Sequence, residues 1–207
     1  MSEIYFLYHQ FVEYGVLNLN RVKVPEFGFK RYFPVRHVSK KKNGYDFFIS
    51  NDESVIYKKN NLSNPHLLEQ INTKEKLGNF TGIMEGNALP LELQNHISKG
   101  YDLEDNGSYK SEFLHGYRLD LLRTYVIDSM TFSMILSECD VLLEKIISAN
   151  SSKKLTGDWA LHNLVYSLKY KRIINVDLEG FLFYDPLPEW ANIEIIQEWF
   201  NSITPRS

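Results

Sequence analysis

The chain has a single cysteine, Cys139, among its 207 residues. One cysteine cannot form a disulfide bond within the chain, so a disulfide-stapled scaffold is excluded. Cys139 lies within an apolar helical pattern, which is typical of a buried structural thiol in a reducing compartment. We therefore expect a cytoplasmic protein that is held together by its hydrophobic core.

Long apolar runs are also absent, since no stretch of about 18 uninterrupted apolar residues occurs. The N-terminus lacks the basic segment followed by an apolar segment that marks a secretory signal. The sequence therefore predicts no transmembrane segment. Basic residues are not in excess either: 23 Lys and Arg stand against 26 Asp and Glu, and this balance gives no sign of a nucleic-acid partner.

The sequence does have the composition of a folded globular protein, with 43% hydrophobic and 24% charged residues. A length of 207 residues suits one domain or a two-lobed domain with a sizeable core. Aromatic residues reach 14%, and several crowd the N-terminus without interleaved basic residues. They are expected to pack in the core rather than to stack on nucleobases.

Two aspartates in residues 154–180 have sequence surroundings that are typical of a catalytic site. Asp158 follows a Thr-Gly pair and precedes Asn163 by five positions, and Asp177 ends an apolar run that is soon followed by Gly180. Transfer of a phosphoryl group needs a carboxylate that orients the attacking hydroxyl, and it needs oxygen ligands for magnesium. Asp and Asn are also common turn and capping residues, so two ordinary turns are the alternative interpretation.

The segment between these carboxylates predicts a β-hairpin. Residues 164–166 and 172–176 are rich in apolar and β-branched side chains, and a polar, basic turn separates them. Such a hairpin would lead from Asn163 into the site and would end at Asp177. The basic residues at 169–172 are expected to form a solvated turn or a local anion contact.

Strand signals also occur in the N-terminal half of the chain. Residues 32–38, 45–50 and 54–59 predict three antiparallel strands, and the strong turn signal Asn-Gly joins the first two. Lys58 lies on the third strand, and from the residues alone it is interpreted as an exposed edge lysine, since lysine is common on edge strands.

A helix is predicted over residues 66–77, with Glu75 on its apolar face. A carboxylate on an inward face usually needs a partner, and Glu69 is the fallback candidate for such a carboxylate on this helix. The alternative is that Glu75 is a plain surface residue near a helix end.

The remaining elements complete a predicted α+β fold. A strand is expected near residues 96–101, and a long helix over 120–148 is expected to divide near Thr131 or Ser133. After Gly180, a proline-containing breaker precedes an amphipathic helix over residues 192–200.

Four motifs in this order resemble the protein-kinase-like superfamily, which includes aminoglycoside and choline phosphotransferases, lipopolysaccharide core kinases and small atypical kinases. They are Val-Ile-Tyr-Lys at 55–58, Glu-Phe-Leu-His-Gly at 112–116, Gly-Asp with an Asn at 157–163, and Asp-Leu-Glu-Gly at 177–180. The resemblance runs from about residue 32 to residue 180. It implies a two-lobed fold: a small antiparallel-sheet lobe with an N-terminal extension (residues 1–111) and a reduced, mainly helical large lobe (residues 112–207).

The resemblance also implies an ATP-dependent phosphotransferase that uses Mg²⁺ and acts on a hydroxyl acceptor. Asp158 would be the catalytic residue, Asn163 and Asp177 would bind Mg²⁺, and Glu179 would add a ligand or a substrate contact. Lys58, paired with Glu75, would hold the phosphates, and the backbone of a hinge would meet the adenine edge. The hinge residues implied in this way are Glu112, Phe113 and Leu114.

Three departures from the family pattern shape the expected activity. No Gly-x-Gly-x-x-Gly loop occurs, Thr156 stands where the family has a histidine, and little sequence follows Gly180. A reduced large lobe favours a small molecule, sugar or glycan as the acceptor. Trp190, Trp199 and Phe200 near the C-terminus are expected either to cover the reduced core or to form the contact of a homo-oligomer. Two alternatives remain: a catalytically inactive kinase-like scaffold that binds a protein partner, and a small α+β interaction module unrelated to kinases.

Overall fold

The computed structural model describes residues 29–32, 45–60, 74–87, 89–183 and 187–203. Glu69, the Asn-Gly turn and most of the predicted strand at 32–38 lie outside these ranges. The described residues form an α+β fold, as the sequence predicts, with two antiparallel sheets and several helices.

The chain divides into two compact units. The first contains Met1–Leu77 and Gly100–Phe113, and the second contains Gly78–Lys99 and Leu114–Ser207. The sequence-based division into residues 1–111 and 112–207 differs in one main respect, because residues 78–99 group with the C-terminal unit.

The first unit is built on a five-stranded sheet with the strand order β1-β2-β3-β5-β4. Its antiparallel strands are β1 (Phe29–Tyr32), β2 (Tyr45–Ser50), β3 (Val55–Asn60), β4 (Gly100–Tyr101) and β5 (Tyr109–Glu112). The predictions for β2 and β3 are confirmed to within one residue. Phe48, Tyr57 and Tyr109 are buried in this sheet. Phe48 and Tyr57 are cross-strand partners on one face, whereas Tyr109 pairs with Lys58 and lies on the other face.

Helix α1 (Lys74–Glu85) ends later than the predicted helix at 66–77, and residues 66–73 of that prediction lie outside the described ranges. The prediction that the helix stops at Leu77 is wrong, since α1 continues through Gly78. Glycine in a helix interior costs about 1 kcal/mol relative to alanine. The apolar residues Phe80, Ile83 and Met84 are buried just beyond it, and their packing offsets this cost.

The second unit contains a three-stranded antiparallel sheet with the order β6-β7-β8. Its strands are β6 (Gly116–Arg118), β7 (Leu164–Ser167) and β8 (Arg172–Asn175). β7 and β8 form the predicted hairpin, with Leu164 opposite Asn175 and Ser167 opposite Arg172. All four residues of β7 and the last three of β8 are buried, so both strands lie inside the unit.

Helix α2 (Ser129–Ser151) packs on β8 and forms much of this core. Asp128 caps it, since its side chain accepts a hydrogen bond from the Thr131 amide. Cys139 is buried on the apolar face of α2 as predicted, and burial raises the pKa of its thiol to about 12. The predicted start of a helix at residue 120 is wrong, because Leu119–Thr124 is a separate 3-10 helix and an extended break precedes the cap.

The segment before β4 is mostly not a strand, which corrects the prediction for residues 96–101. Gln94–His96 forms a 3-10 helix, and only Gly100–Tyr101 is extended in a sheet. Ile97 bridges Asn175 in parallel, and the Ser98 amide donates to the Asn175 carbonyl. This segment therefore runs along the side of β8 that β7 leaves unpaired.

Two short helices follow β8: α3 (Leu178–Phe183) and α4 (Ile193–Asn201). α4 confirms the predicted amphipathic helix, and its buried residues Ile196 and Phe200 lie on the side that packs against α2. None of the helices in the described ranges combines the length and the apolar composition needed to cross a membrane.

Candidate functional site

Asp158 lies in a tight loop of the second unit and is only 7% exposed. Its carboxylate oxygen Oδ1 accepts a hydrogen bond of 3.0 Å from the Ala160 amide, which fixes the rotation of the carboxylate. Its backbone carbonyl accepts a second bond of 2.7 Å from the Asn175 side chain. The loop is therefore held through both the side chain and the main chain of Asp158.

Gly157 and Trp159 determine the shape of this loop. Gly157 has a φ of +95°, a conformation that favours glycine, and a side chain there would overlap the ring of Phe181. Trp159 is fully buried, its Nε1 donates to the Thr156 carbonyl, and its ring packs edge-on against Phe181 at 5.5 Å. The Gly-Asp-Trp sequence thus turns sharply while its aromatic residue anchors it to α3.

Asn163 ends the 3-10 helix Leu161–Asn163, immediately before β7. Its carbonyl accepts a hydrogen bond of 2.9 Å from the Val176 amide, which extends the pairing of the hairpin toward the carboxylates. Its side-chain Nδ2 lies 3.5 Å from the Asp158 carbonyl. Within the described ranges, no residue donates a hydrogen bond to Asn163 Oδ1.

Asp177 immediately precedes α3, two residues after the end of β8. Its backbone amide donates a hydrogen bond of 2.9 Å to the side-chain oxygen of Asn175. Its carbonyl accepts a hydrogen bond of 3.2 Å from the Gly180 amide. Asp177 therefore occupies a fixed place between the hairpin and the helix, and its side chain is partly exposed.

Gly180 is the point at which the two carboxylate residues meet. A Cβ atom placed on Gly180 would lie 2.9 Å from Asp158 Cβ and 2.9 Å from Asp177 Oδ2. Both distances are shorter than a real Cβ contact, so only a glycine allows this approach. Residues 158, 177 and 180, which the sequence motif links only by spacing, are therefore neighbours in space.

Lys58 lies on β3 of the first unit and is 7% exposed. Its ammonium group is 5.3 Å from the centre of the Tyr109 ring and 6.0 Å from the centre of the Phe47 ring. The interpretation as an exposed edge lysine is wrong, because β3 lies between β2 and β5 and the side chain is buried. The backbone of Glu75 lies in α1, and the position of its side chain is outside the described structure.

The predicted hinge residues follow β5 as the motif suggests. Glu112 ends β5, and the Phe113 amide donates a hydrogen bond of 2.9 Å to the Ser54 carbonyl, so this N–H group is already used within the sheet. Gly116 lies in β6 rather than in a strand-to-helix turn, which corrects the prediction. Gly116 allows β6 to lie close to β7, because a side chain at this position would overlap the carbonyl oxygen of Tyr166.

Asn175 is the residue of this site that the sequence reasoning missed. It is fully buried at the end of β8, and its amide group contacts the backbones of both Asp158 and Asp177. An asparagine at a strand end reads first as a turn residue, so the only signal was its position two residues before Asp177. Glu179 is also buried, at 5% exposure, within α3.

The chemistry of the donor set fits a magnesium ion, which prefers a small number of carboxylate and amide oxygens. No group of three or more His, Cys, Asp or Glu side chains with metal-binding geometry occurs among the described residues. The described residues therefore contain no metal site that is made only of three or more His, Cys, Asp or Glu side chains. The predicted pair of one carboxylate, Asp177, and one amide, Asn163, would be a different kind of site, in which water and phosphate oxygens supply the other ligands.

No protein-family model matches the chain, and a search of curated proteins finds no significant match. The resemblance to the protein-kinase-like superfamily therefore depends on the four short motifs. Its functional part depends on the residues around Gly180.

Proposed function

We propose that the protein is an ATP-dependent phosphotransferase that moves the γ-phosphate of Mg-ATP to a hydroxyl group. The observation that carries this proposal is the convergence of Asp158 and Asp177 on Gly180, with Asn163 at the same end of the hairpin. Ordinary turns have no need to bring two carboxylate residues within reach of each other. Two carboxylate residues at this spacing suit a site in which one orients the acceptor hydroxyl and the other binds a cation.

In this proposal Asp158 orients the acceptor hydroxyl and receives its proton. The acceptor oxygen forms a bond to the γ-phosphorus while the bond between that phosphorus and the bridging oxygen breaks, and ADP leaves with the electron pair. One oxygen of Asp158 is fixed by the Ala160 amide. Within the described ranges no residue donates to the other oxygen, Oδ2, which suits it to the acceptor.

Asp177 and Asn163 are the proposed magnesium ligands, through a carboxylate oxygen and the amide oxygen Oδ1. When bound, magnesium neutralises the charge of the transferring phosphates. The backbone amide of Asp177 is fixed by Asn175, and the carbonyl of Asn163 is fixed by Val176. Such constraints hold ligands in place without using their metal-binding oxygens.

The acceptor class that we propose is a small molecule, sugar or glycan, by analogy with minimal kinase-like enzymes. The two-lobed kinase-like fold belongs to the same proposal. The nucleotide contacts of Lys58, Glu75 and residues 112–114 stay predictions, and Lys58→Ala tests the first of them. This variant is expected to weaken ATP binding moderately, because a point charge on phosphate is one contact among several.

The experiment is a phosphate-transfer screen with γ-labelled ATP, Mg²⁺ and panels of sugars, glycans and generic proteins. Once an acceptor is found, Asp158→Asn is expected to keep Mg-ATP binding and to lose about 100 to 10,000-fold in turnover. The control is Asp128→Asn, which alters a helix cap that is distant in sequence and retains its capping ability. An acceptor that is phosphorylated equally fast by wild type and Asp158→Asn would refute the catalytic role.

The second candidate is a catalytically inactive kinase-like scaffold that binds a protein partner. Thr156 in the place of the family histidine and the missing glycine-rich loop favour it. The two candidates differ in a nucleotide thermal-shift assay. The enzyme is expected to be stabilised by ATP with Mg²⁺, by about 2.7 kcal/mol at a ligand concentration 100 times Kd, whereas a scaffold without nucleotide binding shows no shift.

A further inference from the structure

The side chain of Asn175 is fully buried, and both its amide nitrogen and its amide oxygen form hydrogen bonds. Its Nδ2 donates a hydrogen bond of 2.7 Å to the carbonyl of Asp158, and its Oδ1 accepts one of 2.9 Å from the amide of Asp177. These partners lie on separate loops, one before the hairpin and one after it. A single side chain thus joins the backbones of the two carboxylate residues.

The main chain of Asn175 is itself held from two sides. On one side it pairs with Leu164 of β7, and on the other its carbonyl accepts a hydrogen bond of 2.9 Å from the Ser98 amide. Two residues earlier, the Ile173 carbonyl accepts a hydrogen bond of 2.9 Å from the ring of His96. The end of β8 is therefore braced by the 94–98 segment, so the Asn175 side chain projects from a rigid position.

We propose that Asn175 is the positioning residue of the phosphotransferase site, an inference that rests on the proposed function. Its two hydrogen bonds set the distance between the acceptor-orienting loop of Asp158 and the magnesium-binding loop of Asp177. It touches neither acceptor nor metal, and it acts through the two backbones. A buried hydrogen-bond donor and acceptor of this kind are costly to leave unpaired, so the arrangement is strongly specified.

The two ends of the amide have separable effects. Asn175→Ala removes both hydrogen bonds, and we expect it to weaken Mg-ATP binding and ATP turnover each by about 10 to 100-fold, as is typical for the outer partners of metal ligands. Asn175→Asp keeps an acceptor for the Asp177 amide and loses the donor to the Asp158 carbonyl. It is therefore expected to reduce turnover at pH 8 more than Mg-ATP affinity.

The split between turnover and affinity in Asn175→Asp is a signature that a merely structural role does not give. A general loosening of the fold lowers Mg-ATP affinity and turnover together. Loss of the single bond to the Asp158 loop is instead expected to lower turnover while most of the Mg-ATP affinity remains.

The experiment measures Mg-ATP affinity by calorimetry and slow ATP hydrolysis by phosphate release, so that no acceptor is required. Asn192→Ala is the matched control, because it removes a side-chain bond to a backbone amide in the same unit, at the cap of α4. It is expected to cost about 1 kcal/mol of stability without a change in either readout. Thermal unfolding confirms that each variant is folded, and Asn175→Asp, which keeps the shape of the side chain, serves if Asn175→Ala does not fold.

Folded Asn175 variants with wild-type Mg-ATP affinity and hydrolysis would overturn the positioning role and leave the proposed function standing. A folded Asn175→Asp variant that loses Mg-ATP affinity as much as turnover would also overturn it. A wild-type protein that neither binds nor hydrolyses Mg-ATP would instead remove the proposed function, and the role of Asn175 with it.

Discussion

The two ends of the β7–β8 hairpin use similar residue types and differ in burial. The end with Asn163, Asn175 and Asp177 is linked to neighbouring loops through side-chain to backbone hydrogen bonds. The opposite end, residues 168–171, is a local turn in which Lys169, Tyr170 and Lys171 are exposed. In sequence both ends look like polar turns. The difference teaches that polar residues acquire a positional role where packing removes their freedom.

Gly180→Ala is expected to have the largest effect on the carboxylate end. The new methyl group would lie 2.9 Å from atoms of both Asp158 and Asp177, so at least one loop must move. We expect ATP turnover to fall at least about 100-fold, since displacement of reacting groups by about 1 Å costs that much. The free energy of unfolding is expected to fall by about 1 to 3 kcal/mol.

Gly78→Ala is the matched control for this substitution. Gly78 is exposed in helix α1, and a Cβ atom there meets nothing within 4 Å. Chemical denaturation is expected to show a stabilisation of about 0.5 to 1 kcal/mol, because alanine is the better helix former. Equal effects of the two substitutions would contradict the importance that we give to the space around Gly180.

The next largest effect is expected from His96, whose protonation makes the stability of the protein depend on pH. Its Nδ1 donates to the Ile173 carbonyl, so its Nε2 accepts from the Lys145 ammonium at 2.8 Å in the neutral ring. Burial lowers the pKa of His96 below its ordinary value of 6.5, and the charges of Lys145 and Arg172 act in the same direction. As the pH is lowered, His96 therefore takes up a proton at a higher pH in the unfolded chain than in the folded chain. The free energy of unfolding falls as the pH drops below about 6.5.

The measurement is the melting temperature of wild type and His96→Gln between pH 8 and pH 5. We expect wild type to lose stability over the acidic part of this range and the variant to lose less of it. His115→Gln, which changes an exposed histidine of the same unit, is expected to follow wild type. Parallel curves for wild type and His96→Gln would show that another group controls the pH dependence.

The turn end of the hairpin is expected to give the smallest effects. Lys171 has a φ of +53°, a conformation that glycine adopts more easily, so Lys171→Gly is expected to stabilise by at most about 1 kcal/mol. Lys169→Ala is expected to change the free energy of unfolding by less than about 0.5 kcal/mol, as exposed substitutions usually do. Neither is expected to change Mg-ATP affinity. A loss of affinity in Lys169→Ala would show that this basic turn contacts an anion.

The local parts of the fold were predictable from the sequence. The bounds of β2, the β7–β8 hairpin and helix α4 follow from periodicity and turn residues within short windows. The candidate residues Asp158, Asn163 and Asp177 were chosen for a similar reason, and their roles stay predictions. Their spacing along the chain is itself the signal.

The parts that depend on distant contacts were not predictable. Residues 96–101 were expected to form a strand, yet only Gly100–Tyr101 is one. His96 ends a 3-10 helix and Ile97 makes a single bridge, because this segment follows the side of β8 that β7 leaves unpaired. The continuation of α1 through Gly78 depends on buried residues that follow it. The proposed role of Asn175 depends on hydrogen bonds to two loops that only the folded chain brings together.

Calorimetric titration of ATP, with and without Mg²⁺, into wild type and Asp177→Ala tests the phosphotransferase proposal most directly. Lys169→Ala, from the exposed end of the same hairpin, is the control. The proposal predicts that wild type and Lys169→Ala bind ATP tightly only when Mg²⁺ is present, and that Asp177→Ala loses this dependence because a main magnesium ligand is gone. Unchanged Mg-ATP affinity in a folded Asp177→Ala protein would contradict it.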